Sequence, residues 1–136
     1  MQHAQTVSVS IHCSADETYR FLADPENFSQ WSLFVRVTER DGDDWIAQTP
    51  TGSVRIRFVP KNEFRVLDHW VNVSPDLQVY VPMRVLANPA GGSEVIFTVF
   101  PTPGMTEEGF AEDVRMVLTD LNRLKARLET GSVPEN

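Results

Sequence analysis

Ser53-Val54-Arg55-Ile56-Arg57-Phe58, then Pro60-Lys61-Asn62, then Phe64 through Val73, then Ser74-Pro75-Asp76 and Leu77-Gln78-Val79-Tyr80-Val81: this stretch decides the fold. Val54, Ile56 and Phe58 alternate with Arg55 and Arg57, the period-two mark of a strand with one buried and one solvated face. Turn-forming residues punctuate it, and they recur outside it at Asp41-Gly42-Asp43, Pro50-Thr51-Gly52 and Asn88-Pro89-Ala90-Gly91-Gly92. Five turns predict six strands, over 33–41, 44–49, 53–59, 64–73, 77–87 and 93–101, joined as hairpins into an antiparallel meander.

Working outward, Val7, Val9 and Ile11 alternate with Ser8, Ser10 and His12 and predict a further strand. Ser14-Ala15-Asp16-Glu17 is a capping box that opens a helix through Leu22. Pro25 halts that helix, and 25–31 reads as a second short one with Phe28 and Trp31 turned inward. On the other side, Pro101 to Gly104 ends the last strand and Thr106 caps a helix running to about Glu129. Phe110, Val114, Val117, Leu121, Leu124 and Leu128 form its apolar stripe. Glu107, Glu108, Glu112 and Asp113 crowd its start, and Arg123, Lys125 and Arg127 its end, which complements the helix dipole. The tail from Gly131 to Asn136 is expected to fray.

The 136 residues carry no repeat or linker and are read as one domain, 1–136, large enough for a sizeable core. A net charge of −7 disfavours a phosphate backbone and an anionic membrane surface. No apolar run approaches the roughly 20 residues of a membrane span. The first residues lack a signal peptide's basic start and apolar run, and Cys13 is a lone thiol, so a cytoplasmic protein is expected. His3, His12 and His69 are far apart and Cys13 has no cysteine partner, so no metal is expected. No nucleophile elbow or phosphate loop occurs, and no cofactor is expected.

The opening strand, the helix at Ala15–Leu22, and Asp24-Pro25-Glu26-Asn27-Phe28 leading to Trp31 resemble the small START-like helix-grip proteins. These are also called the SRPBCC or polyketide cyclase/dehydrase-like superfamily. Gly92-Ser93-Glu94-Val95 and Leu121-Asn122-Arg123-Leu124-Lys125 suit the same pattern. Asn62 through His69 and Val81-Pro82-Met83-Arg84-Val85 resemble a bacterial subgroup without an established activity. The resemblance implies an α+β fold. A curved seven-stranded antiparallel sheet wraps around a long C-terminal helix, with two short helices between strands 1 and 2. It also implies an internal cavity, which in that superfamily serves lipid carriers, aromatic polyketide cyclases, coenzyme-Q-binding proteins and chaperone co-activators.

Hairpin arithmetic predicts which side chains face inward. A two-residue turn at Lys61-Asn62 sets Ile56 opposite Leu67 and Val54 opposite His69. A three-residue turn at 74–76 sets Val71 opposite Val79, His69 opposite Val81 and Leu67 opposite Met83. His69 is then the lone ionisable group on the central concave face, where desolvation should hold it neutral. Either it is a core histidine satisfied by a backbone group, a tyrosine or a water, or it orients a ligand carbonyl or hydroxyl or acts as a base. Asp68 points the other way, toward Arg84, as a surface ion pair. A bulge near Pro82 would exchange the two faces.

Three functional expectations follow. The first is binding of a small hydrophobic, lipid-like or aromatic molecule by Ile56, Leu67, His69, Val81, Met83, Phe97, Val117 and Leu121. The second is a cyclase/dehydratase-type enzyme with His69 as general base and Tyr80 or Arg84 steadying an enolate. The third is an interaction module, possible as a homodimer, through an outer aromatic face carrying Trp70 and Tyr80.

Overall fold

The alternation of Val7, Val9 and Ile11 forms β1 (Gln5–Ile11), and the Ser14 hydroxyl then accepts from Glu17 N at 3.1 Å to start α1 (Ala15–Leu22). Asp24 caps a 3-10 turn over Pro25–Asn27 that runs directly into α2 (Phe28–Trp31). The computed structural model describes residues 3–131, so the expected fraying beyond Gly131 lies outside the described residues. Seven strands follow: β2 (Arg36–Asp41), β3 (Asp44–Thr49), β4 (Gly52–Phe58), β5 (His69–Ser74), β6 (Leu77–Val81), β7 (Met83–Ala87) and β8 (Ser93–Val99). The chain then forms α3 (Glu107–Thr130), whose first turn is closed by Thr106 Oγ1 accepting from Gly109 N at 3.0 Å.

Every pairing is antiparallel, and the strands fall into two hydrogen-bonded sets, β2-β3-β4-β5-β6 and β1-β8-β7. The architecture is the expected α+β helix grip. The strand count is not: eight strands replace the seven expected, because the 77–87 run breaks at Pro82. Proline has no N–H to give to a ladder, and the chain turns there from one set of strands to the other.

The β5–β6 register is the one the sequence predicts, with His69 opposite Val81 and Val71 opposite Val79. It continues past the break, since Val66 bridges Arg84 and Leu67 N donates to Met83 O at 2.8 Å. The β4–β5 register is corrected. Ile56 lies opposite Val71 and Phe58 opposite His69, so no tight hairpin forms at Lys61-Asn62 and strand 64–73 begins only at His69. Instead Asn62 organises the loop. Its Oδ1 accepts from Phe64 N and Val66 N, and its own N–H donates to the Tyr19 hydroxyl of α1. The displacement preserves parity, so the same residues still face inward.

On the outer face Arg55 and Arg57 are half-exposed and pair with Asp41 and Asp44, as alternation with Val54 and Ile56 requires. Trp70 and Tyr80 meet across β5–β6 with ring centroids 5.3 Å apart.

Two apolar clusters result. The larger joins β1, α1, β7, β8 and α3 around Ile11, Leu22, Met83, Val85, Val95, Leu121 and Leu124. The smaller joins β3 and β4 around Ala47, Val54 and Ile56, with Val71 and Phe58 against it. They stay separate because α3 packs mainly on β1, β8 and α2, leaving the concave face of the five-stranded set without a helix directly on it.

Candidate functional site

The space between those clusters is a cavity of about 480 Å³. Val54 and Ile56 from β4, Val71 from β5 and Val79 and Val81 from β6 form its floor. Phe97 and Val99 from β8 form one side, Met116 and Val117 of α3 the roof, and Phe28, Trp31 and Phe34 one end. The volume falls within the ~300–1,000 Å³ of small-molecule sites, and the lining is dominated by apolar side chains, as such sites are.

His69 stands in this lining at 3% exposure. The register places it between Phe58 and Val81, and its ring lies 4.8 Å from the Phe58 ring and 6.4 Å from that of Phe97. Its Nδ1 is 3.0 Å from the Leu67 carbonyl oxygen. Burial drives its pKa from 6.5 down to about 4, against smaller opposing effects of the Leu67 hydrogen bond and the Asp68 charge. The ring is therefore neutral near pH 7.

Of the eight residues expected to hold a ligand, Ile56, His69, Val81, Phe97 and Val117 lie on the cavity wall. Leu67, Met83 and Leu121 do not. They are almost wholly buried in the larger cluster, because α3 leans toward β1 and β8 and closes over them.

The helix side of the wall adds ionisable groups that the sheet's concave face did not predict, since Asp113 and Asp120 of α3 share it with Val117. Asp120 is 8% exposed and accepts from Ser32 Oγ at 2.6 Å and Leu33 N at 2.8 Å. Burial nevertheless raises its pKa. Asp113 is half-buried and is raised by burial, then by the charge of Glu112. Both carboxylates were legible as a signal: 113, 117 and 120 follow three- and four-residue spacing, which sets them on one helical face with an apolar residue between. Read only as N-terminal charge, Asp113 hides that placement.

Asp68 corrects another expectation. It pairs with Arg84, but at 6% exposure it is a buried hub and not half of a surface ion pair. Its carboxylate accepts from Met83 N at 2.9 Å, from the Tyr80 hydroxyl at 2.9 Å and from Arg84 at 3.1 Å. Burial pushes its pKa up, yet Arg84, the Met83 N–H and Tyr80 together hold it below the usual carboxylate value. The faces are not exchanged at Pro82. Arg84 is absent from the cavity wall, and Tyr80 reaches the wall only with its hydroxyl already committed to Asp68.

Cys13 donates to the Leu128 carbonyl at 3.4 Å, and burial raises its pKa, the reverse of an activated thiol. No group of three potential metal ligands occurs among the described residues, and no helix among them is long and apolar enough to cross a membrane.

No protein-family model and no curated protein matches this sequence. Solved structures do match its fold. An uncharacterised protein from Bacillus thuringiensis superimposes with a TM-score of 0.76 at 15% identity, over 93% of this chain and 98% of that one. Ara h 8.0201 gives 0.69 at 13% identity, over 94% and 98%. The di-domain aromatase/cyclase BexL of the BE-7585A biosynthetic pathway gives 0.67 at 18% identity, and this chain spans 45% of it. The chain has the helix-grip fold of the START-like, or SRPBCC, proteins. At these identities the likeness is one of fold.

Proposed function

We propose that this protein binds a small, mostly apolar molecule in the cavity between its five-stranded set and α3. The observation that carries the reading is the cavity of about 480 Å³, which separates two apolar clusters and has one deeply buried imidazole in its wall. A chain folding for stability alone would gain by covering that half-open apolar lining, because removing apolar surface from water is favourable. Similarity of fold to a protein named as an aromatase/cyclase fits an aromatic or polycyclic guest.

Binding is favoured over catalysis by the groups around the cavity. An imidazole with a pKa of about 4 is a weak base near neutrality. The two candidates for steadying an enolate are engaged elsewhere, Tyr80 with Asp68 and Arg84 off the wall.

Titration with 2-methoxynaphthalene, a neutral ring pair that fits the space, tests the reading by ¹H–¹⁵N NMR. Saturable one-to-one shifts are expected at residues lining the cavity, Val71, Val79, Phe97 and Val117 among them. Shifts that fail to saturate, or that scatter over the outer face, reject it.

A further inference from the structure

We infer that the cavity's ligand is a hydrogen-bond donor without negative charge: an apolar body whose hydroxyl or N–H reaches Nε2 of His69. This narrows the binding reading above and rests on it.

The first argument is the tautomer. The atom facing His69 Nδ1 at 3.0 Å is the Leu67 carbonyl oxygen, which can only accept. Nδ1 therefore carries the proton, and a neutral imidazole has only one. Nε2 is left as a bare acceptor. It has no partner among the described residues, yet no unpartnered side-chain nitrogen or oxygen among them is sealed off from solvent-sized space. In a residue 3% exposed that lines the cavity, the open surface of Nε2 belongs to the cavity. A ligand carbonyl would set acceptor against acceptor. A hydroxyl or N–H completes the pair.

The second argument is charge. No lysine or arginine lies on the wall, and its other ionisable groups are the carboxyls of Asp113 and Asp120 and the phenol of Tyr80, none of which can carry positive charge. Asp120 is occupied by Ser32 and Leu33, whereas Asp113 has no hydrogen-bond partner among the described residues. Of the wall's threonines, Thr49 donates to Gly52 O, Thr51 meets Thr49, and Thr98 meets Thr6, leaving Thr102 and the indole N–H of Trp31 as neutral donors. A carboxylate, sulfate or phosphate entering here meets no counter-charge, and burying an unpaired ion is strongly unfavourable. Whether the two aspartates are protonated or ionised, they supply no positive charge.

Three probes of one ring system separate the terms at pH 7 by calorimetry: 2-naphthol, 2-methoxynaphthalene and 2-naphthoate. The naphthol is expected to bind about tenfold more tightly than its ether, the scale of one net hydrogen bond. The naphthoate is expected to bind at least about tenfold more weakly than the ether. In His69→Phe the naphthol-to-ether ratio should fall to about one. Naphthoate binding as well as naphthol, or naphthol no better than ether, overturns the inference and leaves the cavity reading standing. Failure of all three to bind removes the cavity reading itself. Should His69→Phe not fold, long-range ¹H–¹⁵N spectra of the wild type decide the tautomer: Nε2 unprotonated and shifted by naphthol but not by ether is expected. A protonated Nε2 overturns the inference.

Discussion

At the scale of single residues, His69 couples the cavity to acid stability. Its folded pKa of about 4 lies below the 6.5 of the free side chain. Above pH 6.5 neither state holds the proton. Between 6.5 and 4 the unfolded chain binds it and the folded chain does not, so stability falls as pH drops through that window. The loss amounts to about 3 kcal/mol by pH 4. Asp68, with its pKa lowered in the folded state, loses stability in the same direction at lower pH, so the comparison of variant with parent isolates the histidine. Between pH 7 and 4 the urea midpoint of wild type should fall relative to that of His69→Phe, whichever is the more stable at pH 7. Parallel curves would reject the buried, neutral ring. The identity of this residue as an inward-facing imidazole was legible from alternation, and it survived the misjudged loop because the register is displaced by an even number of residues. Asp113 and Asp120 were overlooked although their spacing showed them, because charges in a helix read first as surface.

At the scale of elements, the junction of β6 and β7 is where sequence rules stop. Pro82 marks the break, but what holds the broken ends is Asp68, reaching from the start of β5 to the N–H of Met83, the hydroxyl of Tyr80 and Arg84. Its removal leaves a buried Met83 N–H and a Tyr80 hydroxyl without their acceptor. Arg84 is about half-exposed and can turn to water, so its share of the cost is discounted. Asp68→Ala should therefore destabilise by about 2 kcal/mol in urea unfolding, and Asp68→Asn, which keeps an acceptor for Met83, by about half as much. Equal losses in the two variants would place the energy in the charge and not in the capped N–H. Hairpin register pointed Asp68 toward Arg84, but its burial and its bonds to Met83 N and the Tyr80 hydroxyl arise only where β6 and β7 diverge.

At the scale of the molecule, the cavity and the core respond oppositely to added volume. Val79 faces the open space, whereas Val95 is 0% exposed within the larger cluster. Val79→Phe should raise stability by about 1 kcal/mol through added apolar burial, and weaken 2-methoxynaphthalene at least tenfold. Val95→Phe should cost about 1–3 kcal/mol by overpacking. Thermal unfolding alongside the same titration checks both, and a loss of stability in Val79→Phe would mean the space is not there to fill.

The sequence by itself determined the order of the elements, the inward parity of the strands, the apolar stripe of α3 and the helix-grip architecture. The first three follow from local periodicity, turn chemistry and caps, all of which act between near neighbours in the chain, whereas the helix-grip architecture came from the resemblance of its motifs to a known superfamily. Only the tertiary structure decided how far α3 leans toward β1 and β8, and so which apolar residues close into core and which border a void. That division put Leu67, Met83 and Leu121 in one and His69 in the other. The placement of a helix over a sheet is set by side chains summed across distant segments, and no stretch of sequence carries that sum alone.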